Sequence, residues 1–104
     1  MTDYSKLSDR EIDRLVLNII YGVHANDKDI QGCWSRGGFK YTSDASDAWP
    51  IIADNLISID WHFNGSYKRV WGYSKKGLVE LKCLQFDVLR AAMIVFLEMQ
   101  ENKQ

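Results

Sequence analysis

The spacing of apolar residues changes several times along this chain, and each change predicts an element. Ile12, Leu15, Val16, Ile19 and Ile20 recur at the period of a helix with one apolar face, while Arg10, Asp13, Arg14 and Asn18 fall on the other side. Ser8 and Glu11 stand at the two positions of a capping box, and Leu7 and Ile12 at those of a hydrophobic staple. Gly22 is a natural stop, because glycine takes the left-handed conformation that commonly ends a helix. Residues 24–29 then read as a polar loop. Ile30–Ser35 and Phe39–Thr42, on either side of Arg36-Gly37-Gly38, are expected to form a short hairpin turning on the glycines.

The only proline, Pro50, helps to place the second helix. Proline is tolerated in a first turn but costs about 3 kcal/mol inside a helix. With Asp47 as N-cap, Pro50 falls at N3 and the helix runs to about Asn55, so this start, or a loose first turn, is preferred over a start at Asp44. Ala48, Ile51 and Ile52 share its buried face.

Strict alternation follows. Leu56–Phe63 and Ser66–Tyr73 flank Asn64-Gly65, the favoured pair of a two-residue hairpin turn. That turn sets Phe63 opposite Ser66, His62 opposite Tyr67, Trp61 opposite Lys68, Asp60 opposite Arg69, Ile59 opposite Val70 and Ser58 opposite Trp71. One face then carries Ile57, Ile59, Trp61, Phe63, Val70 and Gly72 and goes to the core. The other carries Ser58, Asp60, His62, Tyr67, Arg69, Trp71 and Tyr73, with Asp60 and Arg69 placed as a cross-strand ion pair. After a turn at Ser74–Gly77 comes a third strand, Leu78–Cys83. The last helix is capped near Asp87 and runs to about Glu101; from Val88 to Leu97 it is apolar all round except at Arg90. Such a helix is buried on several sides. The expected fold is therefore α+β, one domain over residues 1–104: a small antiparallel sheet with helices packed on it, in the order α-(β-β)-α-β-β-β-α, with the C-terminal helix central.

Composition narrows the function classes. The 104 residues carry 13 Lys+Arg and 14 Asp+Glu, a net charge of −1, so no overall basic field exists to hold phosphate backbones or anionic lipid. The longest uncharged apolar run, Ala91–Leu97, is far short of the ~20 residues of a membrane span. The opening residues lack the apolar segment of a secretory signal. Two cysteines make no disulfide framework and fit a reducing cytosol.

Candidate chemistry is sparse. His24, Cys33, His62 and Cys83 contain no pair at metal-ligand spacing, so neither a metal nor another cofactor is expected. No serine lies in a nucleophile elbow, neither cysteine has an activating neighbour, and Asp60 with His62 is an ordinary same-face strand pair; a non-enzyme is expected. Gly37-Gly38 lacks the Lys-Ser/Thr of a phosphate loop. Residues 47–101 share the element order of double-stranded RNA-binding domains, but their final helix has an acidic cap and one arginine. The patch that stands out is the polar hairpin face. Asp60, His62, Tyr67, Arg69, Trp71 and Tyr73 combine types enriched at protein-binding hot spots. The same rings beside Lys68, Arg69, Lys75 and Lys76 could stack single-stranded bases, Trp71 could be a homodimer contact, and another segment could cover the face as a second core layer.

Three segments resemble the NinX-like family of small proteins encoded by lambdoid bacteriophages and prophages, a family of unknown function. They are Asp3–Ile12, Tyr41–Ile52 (Tyr-Thr-Ser-Asp-Ala-Ser-Asp-Ala-Trp-Pro-Ile-Ile), and the run from Leu89 to Glu101. Together they cover about a third of the chain; Asp60–Leu84 matches less well. Where family members often have Asn-Pro at the start of the last helix, this chain has Asp87-Val88. The resemblance implies a phage or prophage accessory protein acting in the cytoplasm of a bacterial host, and it brings no catalytic residues. With the sparse chemistry, it points to a protein that binds a bacterial host protein, altering host metabolism or blocking a defence system. The alternative is a nucleic-acid-associated accessory factor in phage replication or recombination.

Overall fold

The computed structural model describes residues 3–65 and 67–101. Its elements are α1 (Asp9–Tyr21), α2 (Lys28–Ser35), α3 (Ala45–Asp54), β1 (Ser58–Asn64), β2 (Tyr67–Ser74), β3 (Gly77–Leu84) and α4 (Val88–Glu101), with short 3-10 turns before α1, after it and before α4. The fold class is α+β. The strands form one antiparallel sheet in the order β1-β2-β3, and α4 lies across β2 and β3 while α1 and α3 pack on α4. That arrangement buries α4 on nearly every side, including Ala91 through Leu97. Among the described residues, no helix is long and apolar enough to cross a membrane.

Local chemistry sets α1. Ser8 Oγ accepts from the Glu11 N–H and Glu11 Oε1 from the Ser8 N–H, both at 3.1 Å, and Gly22 ends the helix at φ +54°. Ile12, Val16 and Leu17 are buried, whereas Ile19 and Ile20, expected on that face, are exposed. Asp13, expected on the solvent side, is buried because its Oδ1 accepts the Thr42 N–H at 2.9 Å.

The hairpin expected over 30–42 is absent; Lys28–Ser35 is helical. Ile30, Cys33 and Trp34 are spaced three and four apart, as on one helical face, and Ile30 and Trp34 pack against the core. The glycines terminate this helix instead of turning a hairpin: Gly37 has φ +87°, and the Gly38 N–H bonds to the Cys33 carbonyl at 2.9 Å. A second correction concerns α3, which starts at Ala45 with Asp44 as its cap, Asp44 Oδ1 accepting from the Ser46 N–H at 2.9 Å. Asp47 is unavailable as the cap because its Oδ2 accepts the Lys40 N–H at 2.9 Å. Pro50 is thus interior; Ser46, whose carbonyl loses its helical donor, is exposed and open to water.

In the hairpin, Ser58, Ile59 and Asp60 stand opposite Trp71, Val70 and Arg69 as expected. Beyond Asp60 the register shifts, and Asn64 stands opposite Tyr67 in place of His62; Trp61 no longer faces Lys68. Between those pairs β1 has residues 61–63 and β2 only residue 68, a bulge of two extra residues. Asp60 Oδ1 takes the His62 N–H at 3.1 Å, which competes with the ladder there. Trp61, expected in the core, is consequently 47% exposed. The Phe63–Ser66 pairing lies outside the described residues. From Tyr67 to Ser74 the pairing with β3 is continuous, and Val70, Gly72 and Val79 face α4.

Candidate functional site: the uncovered sheet face

Only one face of the sheet is covered by helix, so side chains alternating away from Val70 and Gly72 meet solvent. Tyr67 and Tyr73 are 52% and 68% exposed; Arg69 and Trp71 between them are half-buried by their neighbours. Trp71 meets Tyr73 edge-on with ring centroids 5.5 Å apart, and the Arg69 guanidinium lies 5.1 Å from the Trp71 ring. The continuous register adds β3 residues to the same face: Leu84 beside Tyr67, Lys82 beside Arg69, Glu80 beside Trp71 and Leu78 beside Tyr73. Among the described residues no separate layer covers this face, so residues 30–42 do not make it a second core.

Two features differ from expectation. Arg69 Nε bonds to Glu80 Oε2 on β3, not to Asp60, whose carboxylate is occupied by the His62 N–H. His62 is exposed on the bulge, no longer the partner of Tyr67. Four of the six expected residues, Tyr67, Arg69, Trp71 and Tyr73, are therefore gathered on one strand face, Asp60 adjoins them on β1, and His62 is set aside. Leu78, Glu80, Lys82 and Leu84 were missed, although their alternation with Val79, Leu81 and Cys83 carries the signal. Across the face stand two cations, Arg69 and Lys82, and two carboxylates, Asp60 and Glu80, so it carries apolar rings with balanced charge.

A second apolar hollow of about 340 Å³ opens at the β1 edge, between Trp49, Ile59, Trp61, Phe86 and Leu89. Trp49 is exposed at its rim. Trp34, by contrast, is structural: the Arg10 guanidinium sits 3.4 Å from its ring centroid. His24, Cys33, His62 and Cys83 lie on four separate elements, and among the described residues no group of three His, Cys, Asp or Glu is placed to hold a metal. Burial, with Asp87 adding to it, pushes the Cys83 thiol up, so it stays protonated at neutral pH.

Fold and site together define a small α+β domain that presents an aromatic sheet face. Comparison with family models, curated proteins and solved structures finds no match to this chain.

Proposed function

We propose that this protein is a non-catalytic accessory factor of a phage or prophage, acting in the bacterial cytoplasm, and that it binds a host protein through the uncovered sheet face. The observation that carries the reading is the row Tyr67, Arg69, Trp71 and Tyr73 held on one exposed strand face. Aromatic and arginine side chains of limited flexibility are the types that anchor protein interfaces. The balanced charge of that face favours a protein over a phosphate polymer, which needs several unpaired cations. Arg90, the arginine of the last helix, is likewise committed inside the molecule, bonding Asp9 Oδ1 and the Leu7 carbonyl at 2.7 Å each. The phage setting rests on the resemblance to the NinX-like family, and host metabolism or a defence system is the process it implies.

The test is affinity capture from bacterial lysate with the tagged chain, identified by mass spectrometry and repeated with purified partner. Tyr67→Ala with Arg69→Ala should abolish capture and shift the melting temperature by only a few degrees, since an exposed ion pair contributes about 1 kcal/mol or less. Undiminished capture by the double variant would remove this face from the interface. Salt-sensitive retention of single-stranded DNA or RNA, lost in the same variant, would replace the reading with the nucleic-acid alternative.

A further inference from the structure

A hollow that shares no lining residue with the sheet lies where the last turn of α1 meets α3, and it encloses about 310 Å³. One wall is aromatic. Tyr21 meets Phe39 edge-on at 5.5 Å and 67°, and Phe39 stacks on Tyr41 at 6.1 Å and 20°. Asp47 and Asp54 also line it, and among the described residues no lysine or arginine does. Tyr41, which lines the hollow, is only 5% exposed, and among the described residues its hydroxyl has no hydrogen-bond partner.

The chain holds this wall in place against local preference. Phe39 has φ +62°, a conformation that a bulky L-residue rarely adopts. Arg10 reaches from α1 to clamp the segment, donating to the Trp34 carbonyl at 2.8 Å, the Gly38 carbonyl at 3.0 Å and the Phe39 carbonyl at 3.4 Å. Asp13 fixes the Thr42 N–H just beyond Tyr41. Strained backbone persists where surrounding bonds over-determine it, and such places cluster at binding sites.

We propose that this hollow binds an organic cation bearing N–H groups, a guanidinium or alkylammonium. Ring faces attract a cation, and more so when it is partly desolvated. Asp47 and Asp54 supply the opposite charge, and the Tyr41 hydroxyl supplies an acceptor that a purely apolar occupant would leave unpaired. The volume suits a single arginine or lysine side chain, or a free amine of that size.

The test is an NMR titration of the full chain with N-acetyl-arginine amide, with n-butylammonium, and with the neutral N-acetyl-citrulline amide. Both cations should give saturable shifts at Tyr21, Phe39, Tyr41 and Asp54, and the citrulline compound should give none. Tighter binding of the arginine amide assigns the site to a guanidinium, and tighter binding of n-butylammonium to an alkylammonium. Asp54→Asn, at an exposed position, should keep the native spectrum and bind about three- to tenfold more weakly. Equal shifts from the citrulline amide, no saturable shift from either cation, or unchanged binding by the Asp54 variant would overturn the proposal.

Discussion

Asp13 gives the sharpest test of how α1 positions the irregular segment beside it. The residue is 3% exposed, its Oδ1 accepts the buried Thr42 N–H at 2.9 Å, and its Oδ2 stands 3.6 Å from Arg10 Nη1. A hydrogen bond to a charged group contributes about 1.5–3 kcal/mol, and an abandoned buried N–H costs a similar amount. Against this, alanine relieves the desolvation of the carboxylate. The balance for Asp13→Ala is a loss of about 2–3 kcal/mol. For a domain near 100 residues each kcal/mol moves the melting temperature by about 4–8 °C, so a fall of about 10–20 °C is expected. Asp13→Asn keeps an oxygen acceptor and should lose roughly half as much. Circular-dichroism melts with urea titrations at constant m-value measure both. Two results refute the reasoning: Asp13→Ala within ~0.5 kcal/mol of the parent, or an asparagine variant as damaged as the alanine one, which would assign the energy to charge rather than to the Thr42 bond.

Three further predictions follow from packing and charge. Thr42 Oγ1 is buried without a partner among the described residues, so Thr42→Val should raise stability by about 1 kcal/mol, read from the urea midpoint; a loss would mean that the hydroxyl is satisfied in solution. A Cβ on Gly72 would sit 2.9 Å from Met99 Sδ; the flexible thioether can swing aside for Gly72→Ala, at under about 1 kcal/mol, whereas Gly72→Val should cost about 2 kcal/mol or more by lifting α4 from β2. A harmless valine would contradict that close approach. Burial, then Glu101 and Asp3, push the Glu98 carboxyl up. A raised carboxyl favours the fold when protonated, so its penalty is absent below the unfolded value of about 4.3 and grows as pH rises through the folded value. Glu98→Gln should therefore raise the melting temperature at pH 7 and leave it unchanged near pH 3; a gain of equal size at both would refute the assignment.

Most of the sheet face was legible because its signals are local. Alternation in 67–73 assigns the sides of β2 whatever the turn does, and the Asp60–Arg69 register counted from the turn holds because the two extra residues of the bulge offset the shifted pairing of Asn64 with Tyr67. The bulge was not legible: it depends on Asp60 capturing the His62 N–H, a short-range bond that competes with the ladder without altering the apolar pattern. Residues 28–35 were misread because Arg36-Gly37-Gly38 serves equally as a hairpin turn or a helix stop. The three- and four-residue spacing of Ile30, Cys33 and Trp34 could have decided it. The cation hollow was invisible in sequence, since Tyr21, Phe39, Tyr41 and Asp54 come from three separate stretches, and Asp13, which helps to hold two of them, looked like a solvent-facing residue of α1.

Three charged residues of the helices, Arg10, Asp13 and Arg90, share one task. Arg10 bonds three carbonyls between residues 34 and 39, Asp13 bonds the N–H of Thr42, and Arg90 bonds the carbonyls of Ser5 and Leu7. Each is a helical residue that bonds backbone groups of the turns and helix ends packed beside it. Segments tied this way lose little further freedom when a ligand arrives, and ordering cost is a major term opposing association. Phe39 and Tyr41 sit outside any helix or strand, yet Arg10 and Asp13 give them support comparable to that of Tyr67 and Trp71 on a paired strand. Affinity at either surface then depends on the chemistry of the side chains displayed, which is why substitutions that leave the backbone ties intact are the ones that can separate binding from folding.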